Sequence, residues 1–125
     1  MRDETQSMPS SVLIVDDHPA FRAAARRLLE IEGYHVVGEA EDGTSALQAI
    51  RMLRPDFVLL DIQLPDVDGF EVCERLSADA DAPAVVLTSS RDPSDYGPAL
   101  TKARACGFVP KADLSGSEIA GILPA

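Results

Sequence analysis

The sequence predicts an α/β fold: a doubly wound, open parallel sheet flanked by helices. Three observations carry this. Apolar runs of four or five residues alternate with longer stretches of helical period, the pattern of βα units. The runs are apolar throughout, not at every second residue, which fits strands covered on both faces. Five such units fill 125 residues, about half the length a closed eight-unit barrel needs.

The elements follow in order. The first strand spans Val12 to Asp16. Pro19 suits the first turn of the next helix, where a missing N–H costs nothing. Phe21, Ala24, Ala25, Leu28 and Leu29 form one apolar stripe at helical spacing, with Arg22, Arg26 and Arg27 on the solvated side. Gly33 ends that helix. The second strand covers His35 to Ala40. Asp42 or Thr44 caps a helix that turns Ala46, Leu47, Ile50 and Leu53 inward. It stops before Pro55, which disfavours helix at Arg54.

Phe57 to Asp61 is the third strand. The loop Ile62 to Gly69 leads into a helix with Val72, Cys73 and Leu76 inward; Asp66 and Asp68 read as turn residues. The fourth strand is Ala84 to Thr88, followed by a polar loop to Asp95. The fourth helix, Tyr96 to Ala105, carries Gly97 and Pro98 in its first turn and is the weakest. Gly107 to Pro110 is the fifth strand. Pro110 cannot donate to a ladder, so this strand belongs at a sheet edge. The last helix, Ser115 to Leu123, is weakened by Gly121 and stopped by Pro124.

The chain is 46% hydrophobic and 26% charged, the mixture of an ordinary globular domain. It reads as one domain over residues 11–125 after a disordered polar lead over 1–10. A net charge of −10 argues against nonspecific binding to nucleic acid or anionic membrane. No run approaches the ~20 apolar residues of a membrane span. The start lacks the apolar core of a signal peptide, so the cytoplasm is the expected compartment. Cys73 and Cys106 have no metal-type spacing and read as small, buried or half-buried apolar residues in a reducing compartment.

The strand endings carry the chemistry. In an open parallel sheet the site lies beyond the carboxyl ends of the strands. There the sequence puts Asp16 and Asp17, then Asp61, Thr88 and Lys111. Taken singly, each is an ordinary turn, cap or surface residue. Together they are three carboxylates, a hydroxyl and an ammonium on one edge. Adjacent carboxylates repel unless compensated, and Mg²⁺ takes such oxygen ligands. Asp16, Asp17 and Asp61 would hold it, with the backbone carbonyl of Gln63 as a further ligand. Asp61 stands alone on its loop and is the candidate phosphoacceptor. Lys111 would pair with one phosphoryl oxygen and Thr88 would donate its hydroxyl to another. His18 beside the acid pair reads first as a loop or helix-start residue and second as a ligand.

The motifs Val12-Leu13-Ile14-Val15-Asp16-Asp17, Leu59-Leu60-Asp61, Leu64-Pro65-Asp66-Val67-Asp68-Gly69, Leu87-Thr88-Ser89 and Phe108-Val109-Pro110-Lys111 resemble a receiver domain of the bacterial two-component response regulators. The resemblance covers about residues 11–123. It implies strand order 2-1-3-4-5 with five helices. It implies phosphorylation of Asp61 from a histidine on a sensor kinase, Mg²⁺ near Asp16, Asp17 and Asp61, and a switch formed by Thr88 and Phe108. Phe108 is also readable as an ordinary core aromatic. A partner protein or output domain would read the face made by the fourth helix, fifth strand and fifth helix. Asp16-Asp17-His18-Pro19 and Val37-Gly38-Glu39-Ala40 further resemble the subfamily whose members usually carry a C-terminal helix-turn-helix DNA-binding domain. The chain stops at Ala125, as a stand-alone receiver or an excised one, and no direct contact of this chain with nucleic acid is expected. Ala112 follows Lys111 where many relatives have proline, so no cis bond is expected there. The short last helix, with Gly121 and Pro124, points to a weak or altered form of the usual helix-mediated dimer.

Two other classes compete. One is an interaction domain of the same fold that is no longer phosphorylated; the complete set of strand-end residues argues against it. The other is a Mg²⁺-dependent phosphatase or phosphotransferase. Such enzymes usually need a second acid shortly after the nucleophile and a cap for substrate. Gln63 stands where that acid would be, and the chain has no room for a cap. The expected catalysis is confined to the chain's own Asp61.

Overall fold

A computed structural model describes residues 11–123. The expected disordered lead over 1–10 and the stop at Pro124 lie outside the described residues. Five parallel strands form one sheet in the order β2-β1-β3-β4-β5. They are β1 Ser11–Val15, β2 His35–Ala40, β3 Phe57–Asp61, β4 Ala84–Ser89 and β5 Gly107–Pro110. The helices are α1 Pro19–Ile31, α2 Gly43–Leu53, α3 Gly69–Leu76, α4 Pro98–Lys102 and α5 Gly116–Ile122. Every strand lies within one residue of its expected place, and β5 is an edge strand.

The unbroken apolar runs explain the layering. Successive side chains of a strand point to opposite faces, so each run feeds two cores. On one face Leu13, Val15, Val58, Leu60, Val85 and Leu87 meet Ala46, Leu47 and Ile50 of α2 and Val72, Cys73 and Leu76 of α3. On the other, Val12, Ile14, Phe57, Leu59, Val86 and Val109 meet Ala25 and Leu29 of α1 and Ile119 of α5. Each large side chain so buried contributes roughly 1.5–3 kcal/mol. The ring of Tyr34 stands edge-on to Phe57, with centroids 5.4 Å apart.

Local chemistry sets the helix ends. Pro19 opens α1, and Gly33, with φ of 100°, follows its end in a conformation that suits glycine. Asp42, not Thr44, caps α2: its carboxylate accepts from the Ser45 N–H at 2.8 Å, and Ser45 reaches back to complete a capping box. Arg54 closes α2 with φ of 49°, and Pro55 follows.

Several expectations are corrected. The fourth helix is far shorter than Tyr96 to Ala105. Gly97 has φ of 55° and ψ of −135°, which breaks the expected first turn, and Ala103 is already extended. Ala24 is exposed, because α1 meets the sheet along Phe21, Ala25, Leu28 and Leu29. Leu53 is 44% exposed, although its Cδ1 lies where a Cβ on Gly38 would come within 2.8 Å of it. Cys73 is buried, but Cys106 is exposed; both are free thiols. The β1–β2 ladder shifts by one residue: Val12 faces Val36, and Leu13 faces Gly38. Gly38, a glycine inside the strand run, stands at that bulge.

Candidate functional site

The ladder register assembles the strand ends. Val15 lies between Ala40 and Leu60, Asp61 beside Thr88, and Thr88 beside Val109. Asp16 continues β1 by one residue, its N–H donating to the Ala40 carbonyl at 3.0 Å. Pro110 ends β5, and Lys111 opens a short 3-10 turn over Lys111–Asp113. The polar groups therefore converge because their strands run side by side in one direction. Asp16, Asp61, Thr88 and Ser89 are the buried polar side chains among the described residues.

Lys111 joins the two buried acids. Its Nζ is 2.6 Å from Asp16 Oδ2 and 3.5 Å from Asp61 Oδ2. The same ammonium lies 4.4 Å from the centroid of the Phe21 ring, a cation–π contact. Asp16 Oδ2 is wholly buried, and the Lys111 ammonium is both its hydrogen-bond donor and its compensating charge. Burial opposes the Asp16 charge. Lys111 and the His18 N–H outweigh that penalty and hold the acid below its ordinary value. Asp61 goes the other way. Burial first, and then the neighbouring Asp16 charge, push its acid up to about 6 against the pull of Lys111. Two carboxylates on one ammonium are under-compensated, which is the electrostatic setting for a further cation.

A donor set for one is present. Single ligand atoms from Asp16, Asp17, His18 and Asp61 all lie within 4.8 Å of one another. Asp17 and His18 are exposed and Asp16 and Asp61 buried, so the cluster has a dry floor and an open rim. These oxygens fit a hard dication such as Mg²⁺. Gln63 is exposed beside them, and its N–H donates to Asp61 Oδ1 at 3.2 Å.

Thr88 is in place, but its hydroxyl is engaged elsewhere. Oγ1 donates to the Val109 carbonyl at 2.6 Å, across the β4–β5 ladder. Phe108 lies on the helix α2–α3–α4 side, half-buried, with its ring tilted against Tyr96 at 6.4 Å. Tyr96 in turn stands edge-on to Phe70 at 5.7 Å and shares a 2.5 Å hydrogen bond with the Ser89 hydroxyl. Tyr96 thus links the end of β4 to Phe108.

Sequence reasoning missed other supports. Arg22 and Arg26 are not simply solvated. Both guanidinium groups donate to Glu39, at 2.9 and 2.8 Å, and Arg22 also donates to the Asp16 carbonyl at 2.6 Å. This network braces the loop that carries the acid pair. Asp66 is more than a turn residue. Its carboxylate accepts from the N–H groups of Gly43, Thr44 and Val67 and from the Thr44 hydroxyl, all at 2.8–2.9 Å. Those bonds hold its acid well below the usual carboxylate range. They clasp the loop after β3 onto the N-terminus of α2. An acid near a helix start is a weak signal when the helix lies 22 residues earlier in the chain. Asp68 caps α3 through the Glu71 N–H at 2.9 Å.

Among the described residues no helix is long and apolar enough to cross a membrane. A family model described as the response regulator receiver domain matches residues 12–118. A Pseudomonas aeruginosa protein described as a regulator of transcription is 48% identical over 103 residues, covering 82% of this chain and 49% of its own. The DNA-binding transcriptional activator EvgA of Escherichia coli is 34% identical over 112 residues, covering 90% of this chain and 55% of its own. The chain thus spans about half the length of these relatives. Among solved structures, a two-component response regulator of the LuxR family from Aurantimonas superposes with a TM-score of 0.77 at 32% identity, covering 84% of this chain and 76% of that one.

Proposed function

This chain belongs to the response regulator receiver domain family, and on that premise we propose that it accepts a phosphoryl group on Asp61 from a sensor histidine kinase. The observation that carries the reading is the buried Asp61 carboxylate, 3.5 Å from Lys111 Nζ, on the edge where Asp16 and Asp17 also arrive. Residues 11–125 would act as one receiver domain in the cytoplasm, with no catalysis except on its own aspartate.

In the transfer, an Asp61 oxygen forms a bond to phosphorus as the phosphorus–nitrogen bond to the kinase histidine breaks. The electron pair stays on that nitrogen, which takes a proton. The Asp61 acid, near 6, is mostly ionised at neutral pH and ready to attack. Phosphoryl transfer depends mainly on positioning and charge neutralisation. Lys111 supplies one charge by shifting from Asp16 toward the new phosphoryl oxygens. Mg²⁺, held by Asp16, Asp17, Asp61 and the Gln63 carbonyl, would supply neutralising charge when bound.

The switch starts at Thr88. The phosphoryl group carries about two negative charges in place of the single carboxylate charge, and it draws the Thr88 hydroxyl from the Val109 carbonyl to one of its oxygens. That exchange removes a bond between β4 and β5 next to Phe108. Phe108 and Tyr96 then repack, and the face of α4, β5 and α5 changes shape for an output domain or partner protein.

The test is intact mass after incubation with Mg²⁺ and acetyl phosphate. One phosphoryl adduct is expected, absent in Asp61→Asn. No adduct with any small phosphodonor would instead favour an interaction domain of this fold. Repeated turnover of unrelated phosphoesters would favour an enzyme.

A further inference from the structure

We propose that His18 is a ligand of the cation site, so that this chain binds a first-row transition-metal dication through a nitrogen as well as through oxygens. The inference rests on the reading of Asp16, Asp17 and Asp61 as a cation site, and it changes what that site selects.

His18 occupies the N-cap position of α1, yet its side chain makes no capping hydrogen bond. The ring turns to the acids instead. Its Nδ1 is 3.0 Å from Asp16 Oδ1 and 3.0 Å from Asp17 Oδ1. The backbone fixes this approach, because the His18 N–H donates to Asp16 Oδ1 at 2.8 Å. The side chain is 67% exposed, so packing does not dictate the ring's direction. Neighbouring ligands on an octahedral ion with bonds of about 2.1 Å stand about 3.0 Å apart. The two nitrogen–oxygen separations match such edges.

Without an ion, a proton on Nδ1 bonds to both carboxylates. Coordination needs only the other tautomer, with that proton on Nε2, which faces no requirement from a helix cap. The ligand chemistry then decides the metal. Carboxylates and carbonyls suit Mg²⁺ and Mn²⁺, whereas imidazole suits the later first-row dications such as cobalt, nickel and zinc. A site built from oxygens alone would discriminate less.

The sequence has two histidines, and the second supplies the control. His35 begins β2 at the opposite end of the sheet. Calorimetric titration with Mg²⁺ and with Co²⁺ is compared for wild type, His18→Ala and His35→Ala. The expected result is a loss of about tenfold or more in Co²⁺ affinity in His18→Ala, with Mg²⁺ affinity changed less than about twofold and His35→Ala unchanged for both ions. Co²⁺ should also shift the His18 ring proton resonances paramagnetically in wild type. Unchanged Co²⁺ affinity in His18→Ala, or equal losses for both ions, would overturn the proposal. If wild type binds neither ion, the underlying cation site fails as well, and that outcome is separate from a selective defect at His18.

Discussion

Replacing Gly69 with alanine tests how closely α3 is seated on the strand that carries Asp61. Gly69 is buried, opens α3, and donates its N–H to the Ile62 carbonyl at 2.7 Å. A Cβ there would stand 2.8 Å from the Asp61 carbonyl oxygen and 2.8 Å from Ile62 Cα. Both are backbone atoms of the site strand and its loop, and neither can swing aside. Comfortable carbon contacts begin near 3.5 Å, so helix and strand must separate by about half an ångström or more. Overpacking of this kind costs about 1–3 kcal/mol, against a gain of about 0.5–1 kcal/mol for exchanging glycine for alanine in a helix. The difference centres on a net loss of about 1 kcal/mol, or about 4 °C in Tm for a chain of this size. Gly121→Ala is the matched control. Nothing lies within 4 Å of a Cβ there, so the same substitution in α5 should raise Tm by about 2 °C. Thermal unfolding by circular dichroism reads both. A Gly69→Ala protein that melts at or above wild type would refute the steric argument, and its phosphorylation rate should fall with its stability.

Mg²⁺ at ten times its Kd should add about 1.4 kcal/mol of stability, and Asp17→Asn should reduce that gain; identical melting curves with and without the ion would contradict the cation site. The gain should also depend on pH. The Asp61 acid sits near 6 in the fold and near 3.9 when unfolded. Between these values the folded domain holds a proton that the unfolded chain has released. The metal-free domain therefore loses this stabilisation as pH rises through the window. The ion needs the carboxylate, so the Mg²⁺ increment in Tm should be larger at about pH 7.5 than at about pH 5; an increment independent of pH would count against Asp61 as a ligand. Burial pushes the Cys73 thiol up to about 12, whereas Cys106 is exposed. A thiol reagent should modify one cysteine rapidly in the native protein and the second only in denaturant, and two fast thiols would contradict the packing under α3.

The strands were legible because runs such as Phe57-Val58-Leu59-Leu60 have no polar interruption and end at a charge. The site was legible to the extent that its residues follow strands: Asp16, Asp61 and Lys111 meet because β1, β3 and β5 are parallel. Groups that reach across the fold were not. Arg22 finds Glu39 17 residues away, and Asp66 finds Thr44 22 residues away, neither with a local pattern to announce it. The extent of α4 was misread because Tyr96, Leu100 and Ala103 keep a helical spacing while Gly97 adopts a backbone that a helix cannot contain. Hydroxyl direction is a further limit: the position of Thr88 follows from its strand, but its choice of the Val109 carbonyl depends on the neighbouring strand's register.

The clasp made by Asp66 gives the domain a stiff flank and a pliant one. On the α2–α3 side, the loop leaving Asp61 is anchored to a capped helix, and displacing it means breaking several charge-assisted bonds at once. Farther along the same face, β4 runs into a polar stretch and a helix of five residues, held by Leu100 and Ala103 against the core, one tyrosine hydroxyl and a few ring contacts. A disturbance at the aspartate therefore meets unequal resistance. On the phosphorylation reading it would spread toward the flank that yields, where the frame has been left unreinforced.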